Sequence, residues 1–301
     1  MIYVSRPKTV HTPVPHLDTY PRGASRYLNS VIFTEKEQAL LSPAFTEFSV
    51  KNLQYDLVYI VKNSETNVDL QYSLRSISKF CSFKNLWIVG YKPRWVTNVK
   101  YLPTIQTGDK WKNSMINYEA ACKSPEISEN FILMNDDFFA IRQIVDWEVD
   151  LNKCLGTIDE QLMSFKNKAQ LSHWQAGFVH AKQILKDLGC KTQINYETHM
   201  PIIINKTKFL EFLNLPRIIA FQKTNNVLHK RTIYKNLYPD SYINPTKIKD
   251  VKLETQKDLD TQSLNENWLS VFDYVVDNCR RYPRLNKLLR ELFPEKCKFE
   301  I

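Results

Sequence analysis

The residues best suited to chemistry are three oxygen donors in a row, Asn135-Asp136-Asp137, inside the run NFILMNDDFFA at 130–140. Phe131–Met134 reads as a buried strand, since a short apolar run bounded by polar residues fits that state. Two adjacent carboxylates at its end are costly to bury unless their charge is offset, and a divalent cation is the usual offset. In open α/β sheets, ligands lie outside the carboxyl ends of the strands, where this pair would stand. Asp137, with Asp136, is therefore expected to hold Mg²⁺ or Mn²⁺. Such an ion can bind a diphosphate and, as a Lewis acid, offset charge on a nucleoside diphosphate as a sugar–phosphate bond breaks. The bland alternative is a strand exit with solvated acids.

His199 is the second candidate, as a third metal ligand or as a base. Glu197 lies two residues before it, on the same face if the segment is extended, and is a candidate general base for an acceptor hydroxyl. Lys62 and Arg75 are expected at the phosphates of a nucleotide, Arg75 through its planar fork. Lys230 and Arg231, in His229-Lys230-Arg231, and Lys235 are expected to close over a diphosphate or meet an anionic acceptor. Lys110, Lys112 and Asn113 precede a helix whose N-terminus can also take phosphate. For each cation, a solvated helix face is the competing reading.

These residues need a scaffold, and the pattern supplies one. Tyr55–Lys62 and Asn85–Gly90 are β-branched and aromatic, as strands are. Val99–Leu102 makes a third short strand and Phe131–Met134 a fourth. Helical spacing covers Leu70–Phe80, Asn113–Cys122, Gln175–Leu188 with Gly189 as its stop, and Lys208–Leu213. Strands alternating with helices predict an α/β fold with a mostly parallel central sheet. Residues 1–50 read as an N-terminal extension, 51–260 as the catalytic domain, and 261–301 as a helical C-terminal segment packed on it. In that last segment Trp268, Phe272, Val275, Val276 and Cys279 share one helical face, and Leu285, Leu288, Leu289 and Leu292 lie on a second helix after Pro283.

Composition narrows the classes. A chain of 301 residues with 43% hydrophobic and 24% charged residues is that of an ordinary globular protein. No apolar run approaches the roughly 20 residues of a membrane span. Six cysteines without C-x-x-C spacing argue against zinc and against a disulfide framework. With no signal-peptide pattern at Met1–Pro7, a cytoplasmic location is expected. Neither G-x-G-x-x-G nor a P-loop occurs. The net charge of +9 favours a phosphorylated or polyanionic partner.

In order along the chain, VYIV, QYSLRSISKF at 71–80, WIVGYKPRW at 87–95 and FILMNDDFF at 131–139 resemble the motifs of the Stealth-type sugar-phosphate transferases. They resemble phage-encoded glycosyltransferases related to them more closely still. ETHMPIIINKTKFL at 197–210 is similar to a third Stealth block, in which a His precedes a Pro and an apolar strand. The resemblance covers roughly residues 55–240. It implies a GT-A-like nucleotide-sugar fold with a divalent metal, Asn135 near the ribose and Asp137 at the metal. The chain departs from the pattern at Val61-Lys62-Asn63-Ser64, where the Stealth proteins have an acidic ending. That departure places glycosyl transfer ahead of sugar-1-phosphate transfer. The expected function is transfer of a sugar from a nucleotide-sugar to an anionic polymer. A hydroxymethylated base of phage DNA is the first choice of acceptor, a cell-surface or capsular glycan the second, and the setting would then be the host cytoplasm. The alternatives are a Stealth-like phosphotransferase and an inactive nucleic-acid-binding protein.

Overall fold

Leu57, Val58, Tyr59 and Val61 are all buried, so the strand β1 (Asp56–Val61) is apolar on both faces, as a central parallel strand must be. The computed structural model describes residues 51–107, 110–167, 169–239, 244–253, 267–271 and 283–301. The extension expected at 1–50, and the helical face expected through Phe272–Cys279, lie outside those residues. β1 pairs in parallel with β2 (Leu86–Gly90) on one side and β4 (Asn130–Asn135) on the other; β3 (Lys100–Pro103) extends the sheet beyond β2. The edge strand β7 (Ile202–Asn205) runs antiparallel to β4, giving the order β3-β2-β1-β4-β7. The expected mostly parallel α/β sheet is what the chain forms.

Successive side chains of a strand bury on opposite faces, and two apolar clusters follow. On one face Val58, Val89, Phe131 and Leu133 pack against α2 (Lys110–Lys123), α5 (His173–Asp187), α6 (Lys206–Leu213) and α8 (Lys230–Leu237) through Tyr118, Phe178, Phe209 and Tyr234. On the other face Leu57, Tyr59, Val61, Ile132 and Met134 meet Leu70, Leu74 and Ile77 of α1 (Val68–Phe80) and Trp147 of α3 (Trp147–Leu151). Three short helices, α4 (Ile158–Ser164), α7 (Pro216–Gln222) and α9 (Pro283–Leu292), complete the described helices.

A second sheet, in the order β5-β10-β9, joins Phe138–Ala140, Trp268–Val271 and Lys252–Leu253. β10 corrects the helix expected at Trp268. Trp268 faces the Trp147 ring at 6.0 Å, whereas Leu269 enters a third cluster with Phe139, Leu289 and Phe293, an alternation of period two. Pairing with β5 and β9 thus overrides the helical reading, and the C-terminal segment is part strand and part helix. β6 (Lys153–Cys154) and β8 (Thr246–Lys247) form a small parallel pair.

The sheet order fixes where a ligand belongs. The chain leaves β1 for β2 on one side and returns to β4 on the other, so the crevice at the carboxyl ends of β1 and β4 is the topological switch point. Gln106 shapes that edge, donating to the Val61 carbonyl at 2.7 Å and accepting from the Asn63 N–H at 3.0 Å. Gly90 ends β2 at φ +109°, and a Cβ there would collide with the Val61 carbonyl, so the close approach requires glycine.

Candidate active site

Asn135 is the last residue of β4, and Asp136-Asp137 form the turn between β4 and β5. The register of β1 on β4 sets Ile60 beside Asn135, so Lys62 and the two acids leave neighbouring strand ends at the switch point. Asp136 is half-buried and accepts from the Asn67 amide at 2.6 Å. Asp137 is buried and accepts from the Ser270 hydroxyl of β10 at 3.3 Å. The second sheet therefore holds the turn from behind.

Mg²⁺ is commonly held by about one or two carboxylates, with substrate phosphates and water completing the shell. Two acids at a strand end fit that requirement. They do not fit the three-ligand set expected with His199: among the described residues no three His, Cys, Asp or Glu side chains stand together as a metal site.

Opposite the acids is a buried cluster at the start of α8. His229, Lys230, Arg231 and Thr232 are all buried there. The guanidinium of Arg231 lies 5.1 Å from the ring centroid of Phe138, the residue after Asp137. Its Nη1 donates to the Met200 carbonyl, while Nη2 is buried and finds no hydrogen-bond acceptor among the described residues. A buried donor without an acceptor costs about 1–3 kcal/mol, and a ligand oxygen would remove that cost. The ammonium of Lys230 stands 4.7 Å from the Tyr118 ring centroid, and burial lowers its pKa to about 8 despite the pull of Glu197. Lys235 is buried one helical turn further on, and burial brings it to about 7.

Glu197 holds this cluster together. The N-cap residue His229 makes no side-chain cap, and Glu197 instead accepts the Thr232 N–H in the first turn at 3.2 Å. A carboxylate at a helix N-terminus is favoured by the macrodipole. Burial alone would raise the Glu197 carboxyl, but His229, Arg231, Lys230 and the Thr232 N–H more than offset it and hold it below the ordinary range. That is the wrong direction for the general base expected here, because a base acting near neutrality needs a raised pKa. Glu197 is a counter-ion and helix cap. His229 donates Nε2–H to the Trp174 carbonyl at 3.0 Å, and burial lowers its pKa against the opposing pull of Glu197.

His199 parts from Glu197. Its φ is +49°, so the segment is not extended there and the two side chains do not share a face. Its Nδ1 lies 2.7 Å from Oδ2 of Asp250, just before β9.

Two further expectations are corrected. Arg75 does not reach the crevice; its fork is closed on Glu300, with Nε at 2.7 Å and Nη2 at 2.8 Å, and Nη1 donates to the Phe293 carbonyl. Lys110, Lys112 and Asn113 do not precede α2 but form its first turn, and Asn113 accepts from the Thr107 N–H at 2.8 Å. Asn67, Tyr118, Asp250 and Ser270 were missed. Of these only Asn67 carried a signal, as an N-cap residue before a helical run, because the others matter through partners distant in sequence.

No protein-family profile matches the chain. A capsular polysaccharide phosphotransferase of Neisseria meningitidis serogroup B is 27% identical over 164 residues, covering 47% of this chain and 42% of that protein. The chain thus spans less than half the length of this curated relative. Among solved structures, the apo-form glycosyltransferase GlyE of Streptococcus pneumoniae TIGR4 is similar with a TM-score of 0.42 at 10% identity, over 80% of this chain and 60% of that one.

Proposed function

We propose that the protein is a transferase acting on the diphosphate of a nucleotide-sugar donor. The observation that carries this reading is the packing of Arg231, with its unpaired Nη2, on Phe138 beside the Asp136-Asp137 turn. One carboxylate pair and one buried guanidinium then flank the carboxyl edge of β1 and β4, as a metal-bound diphosphate requires.

Of the two possible group transfers, similarity to a capsular polysaccharide phosphotransferase favours sugar-1-phosphate transfer. A hydroxyl oxygen of the acceptor bonds to the sugar-proximal phosphorus. The bridging P–O bond breaks, its electron pair leaves on the nucleoside monophosphate, and the hydroxyl proton passes to Nε2 of His199. Asp137 and Asp136 would hold Mg²⁺ or Mn²⁺, which supplies Lewis-acid neutralisation of phosphate charge. Arg231 binds phosphate oxygens through Nη2, Lys230 adds positive charge behind it, and Lys62 meets the nucleotide at the edge of β1. The acceptor in this reading is a cell-surface or capsular glycan.

A second reading is glycosyl transfer, with a hydroxymethylated DNA base as acceptor. The exit of β1 through Val61-Lys62-Asn63-Ser64, without an acid, and the net charge of +9 favour it. Incubation with UDP-, GDP-, CMP- and dTDP-sugars, with Mn²⁺ or Mg²⁺ and with EDTA, separates the two. Nucleoside monophosphate release, with the sugar-proximal phosphate in the product, supports the first reading, and nucleoside diphosphate release supports the second. Either release must be lost in Asp137→Asn. No release from any donor, together with DNA binding unchanged by that substitution, would make the chain a binding protein.

A further inference from the structure

We infer that Asp250 is a positioning residue for His199, forming with it an Asp–His dyad that leaves Nε2 as the proton-accepting atom. The inference rests on the transferase reading for its chemistry but not for its geometry. Nδ1 of His199 and Oδ2 of Asp250 are 2.7 Å apart, within hydrogen-bond distance. The carboxylate accepts only, so Nδ1 carries a proton, and in the neutral imidazole Nε2 is the nitrogen that keeps its lone pair. This is the opposite tautomer to His229, whose Nε2–H is fixed by the Trp174 carbonyl. The two histidines are thus set in different neutral tautomers by different partners, and His199 is the one whose Nε2 is left to accept a proton.

The backbone supports the assignment. His199 is one of two described non-glycine residues with positive φ. Strained backbone of this kind collects at functional sites and persists where surrounding contacts over-determine it. On one side Met200 is buried, and its carbonyl accepts from Arg231. On the other, Pro201 leads directly into β7. Asp250 is held in turn by the Lys252 N–H, which donates to Oδ1 at 3.3 Å, and Lys252 begins β9 in register with Ser270. Ser270 is also the residue that donates to Asp137. One β10 residue therefore ties the strand that orients the dyad to the turn that bears the acids. In the transfer step, the proton leaving the acceptor hydroxyl would go to Nε2, and the imidazolium formed would be stabilised by the Asp250 carboxylate.

The test has two independent arms. Imidazole ¹⁵N NMR of the full chain should show the His199 proton on Nδ1 in the wild type. In Asp250→Ala, and in Asp250→Asn should the first variant fold poorly, it should move toward the Nε2–H form. In the donor assay, both variants should lose roughly 100-fold or more in kcat with donor KM within about twofold, and Asp250→Glu should recover part of the loss. A wild-type Nε2–H tautomer, or unaltered kcat in a folded Asp250 variant that still turns over donor, would overturn the inference. If no donor is turned over by the wild type, the transferase reading fails while the NMR arm still decides the dyad.

Discussion

Asn67 and Asp136 are joined by a 2.6 Å hydrogen bond, and the same Asn67 side chain accepts the Leu70 N–H at 3.0 Å to cap α1. The cap of the helix after β1 and the acid after β4 are thus fixed by one amide, across the switch point. Asn67→Ala removes both bonds, costing about 1 kcal/mol of stability for the lost cap together with activity. Asn67→Asp is the sharper variant. A carboxylate caps as well as an amide, but it cannot donate to Asp136 and sets like charge against it. We expect Asn67→Asp to melt below the wild type near neutral pH, where both carboxylates are charged, to recover toward it as pH falls, and to turn over donor much more slowly. Full activity would show that Asp136 needs no such support.

Arg231 gives a second separable outcome. Hydrogen bonds to charged groups contribute about 1.5–3 kcal/mol, so losing its donors should weaken donor handling roughly 10- to 100-fold. Arg231→Lys keeps the charge but not the fork, and should remain well below wild type in kcat/KM. Guanidinium ion added to Arg231→Ala should restore part of the activity. Lack of rescue, with the variant folded, would argue that Arg231 acts only through its packing on Phe138.

Arg75 should behave in the contrary way. Its partner Glu300 is almost wholly buried, with 1% of its side chain exposed, and also accepts from Gln71. Arg75→Met leaves that carboxylate unpaired, and breaking a buried pair costs about 3–5 kcal/mol. A large fall in denaturation midpoint is expected, together with a donor KM close to wild type in the protein that remains folded. A raised KM with unchanged stability would return Arg75 to the phosphate site.

The contrast between these arginines marks how far the sequence could be read. The strands of the central sheet were legible because each is a short apolar run closed by turn residues, and the acid pair because burying it demands compensation. Arg231 and Lys230 were legible as cations, but their burial and their seats on Phe138 and Tyr118 depend on residues distant in sequence. Arg75 was misplaced because its partner Glu300 is 225 residues away, and a contact of that kind leaves no local periodicity. Trp268 was misread because four residues of a strand offer too few positions to tell period two from a helical face. Whether Glu197 and His199 share a face turned on one dihedral angle, which residue types alone do not fix.

The two buried lysines predict how stability follows pH. Lys230 and Lys235 have folded pKa values lowered by burial to about 8 and about 7, from 10.5. Between those values and 10.5 the unfolded chain binds more protons than the folded one, so stability rises with pH in that window. It is lost again as pH falls through about 8 and about 7. The buried thiols act in the opposite sense. Burial raises Cys122 to about 12 and Cys297 to about 11 from 9.0, so their contribution is present below 9.0 and is lost as pH rises through the folded values. The rise should therefore be clearest from about pH 7 to 9. Thermal scans should show the wild-type midpoint climbing by a few degrees across that range. Lys235→Met removes a charge that burial disfavours, so it should raise the midpoint most at pH 6, flatten the climb, and converge on the wild type only as pH approaches 10.5. A parallel pair of curves would mean that Lys235 keeps its proton in the fold through contacts strong enough to outweigh its burial.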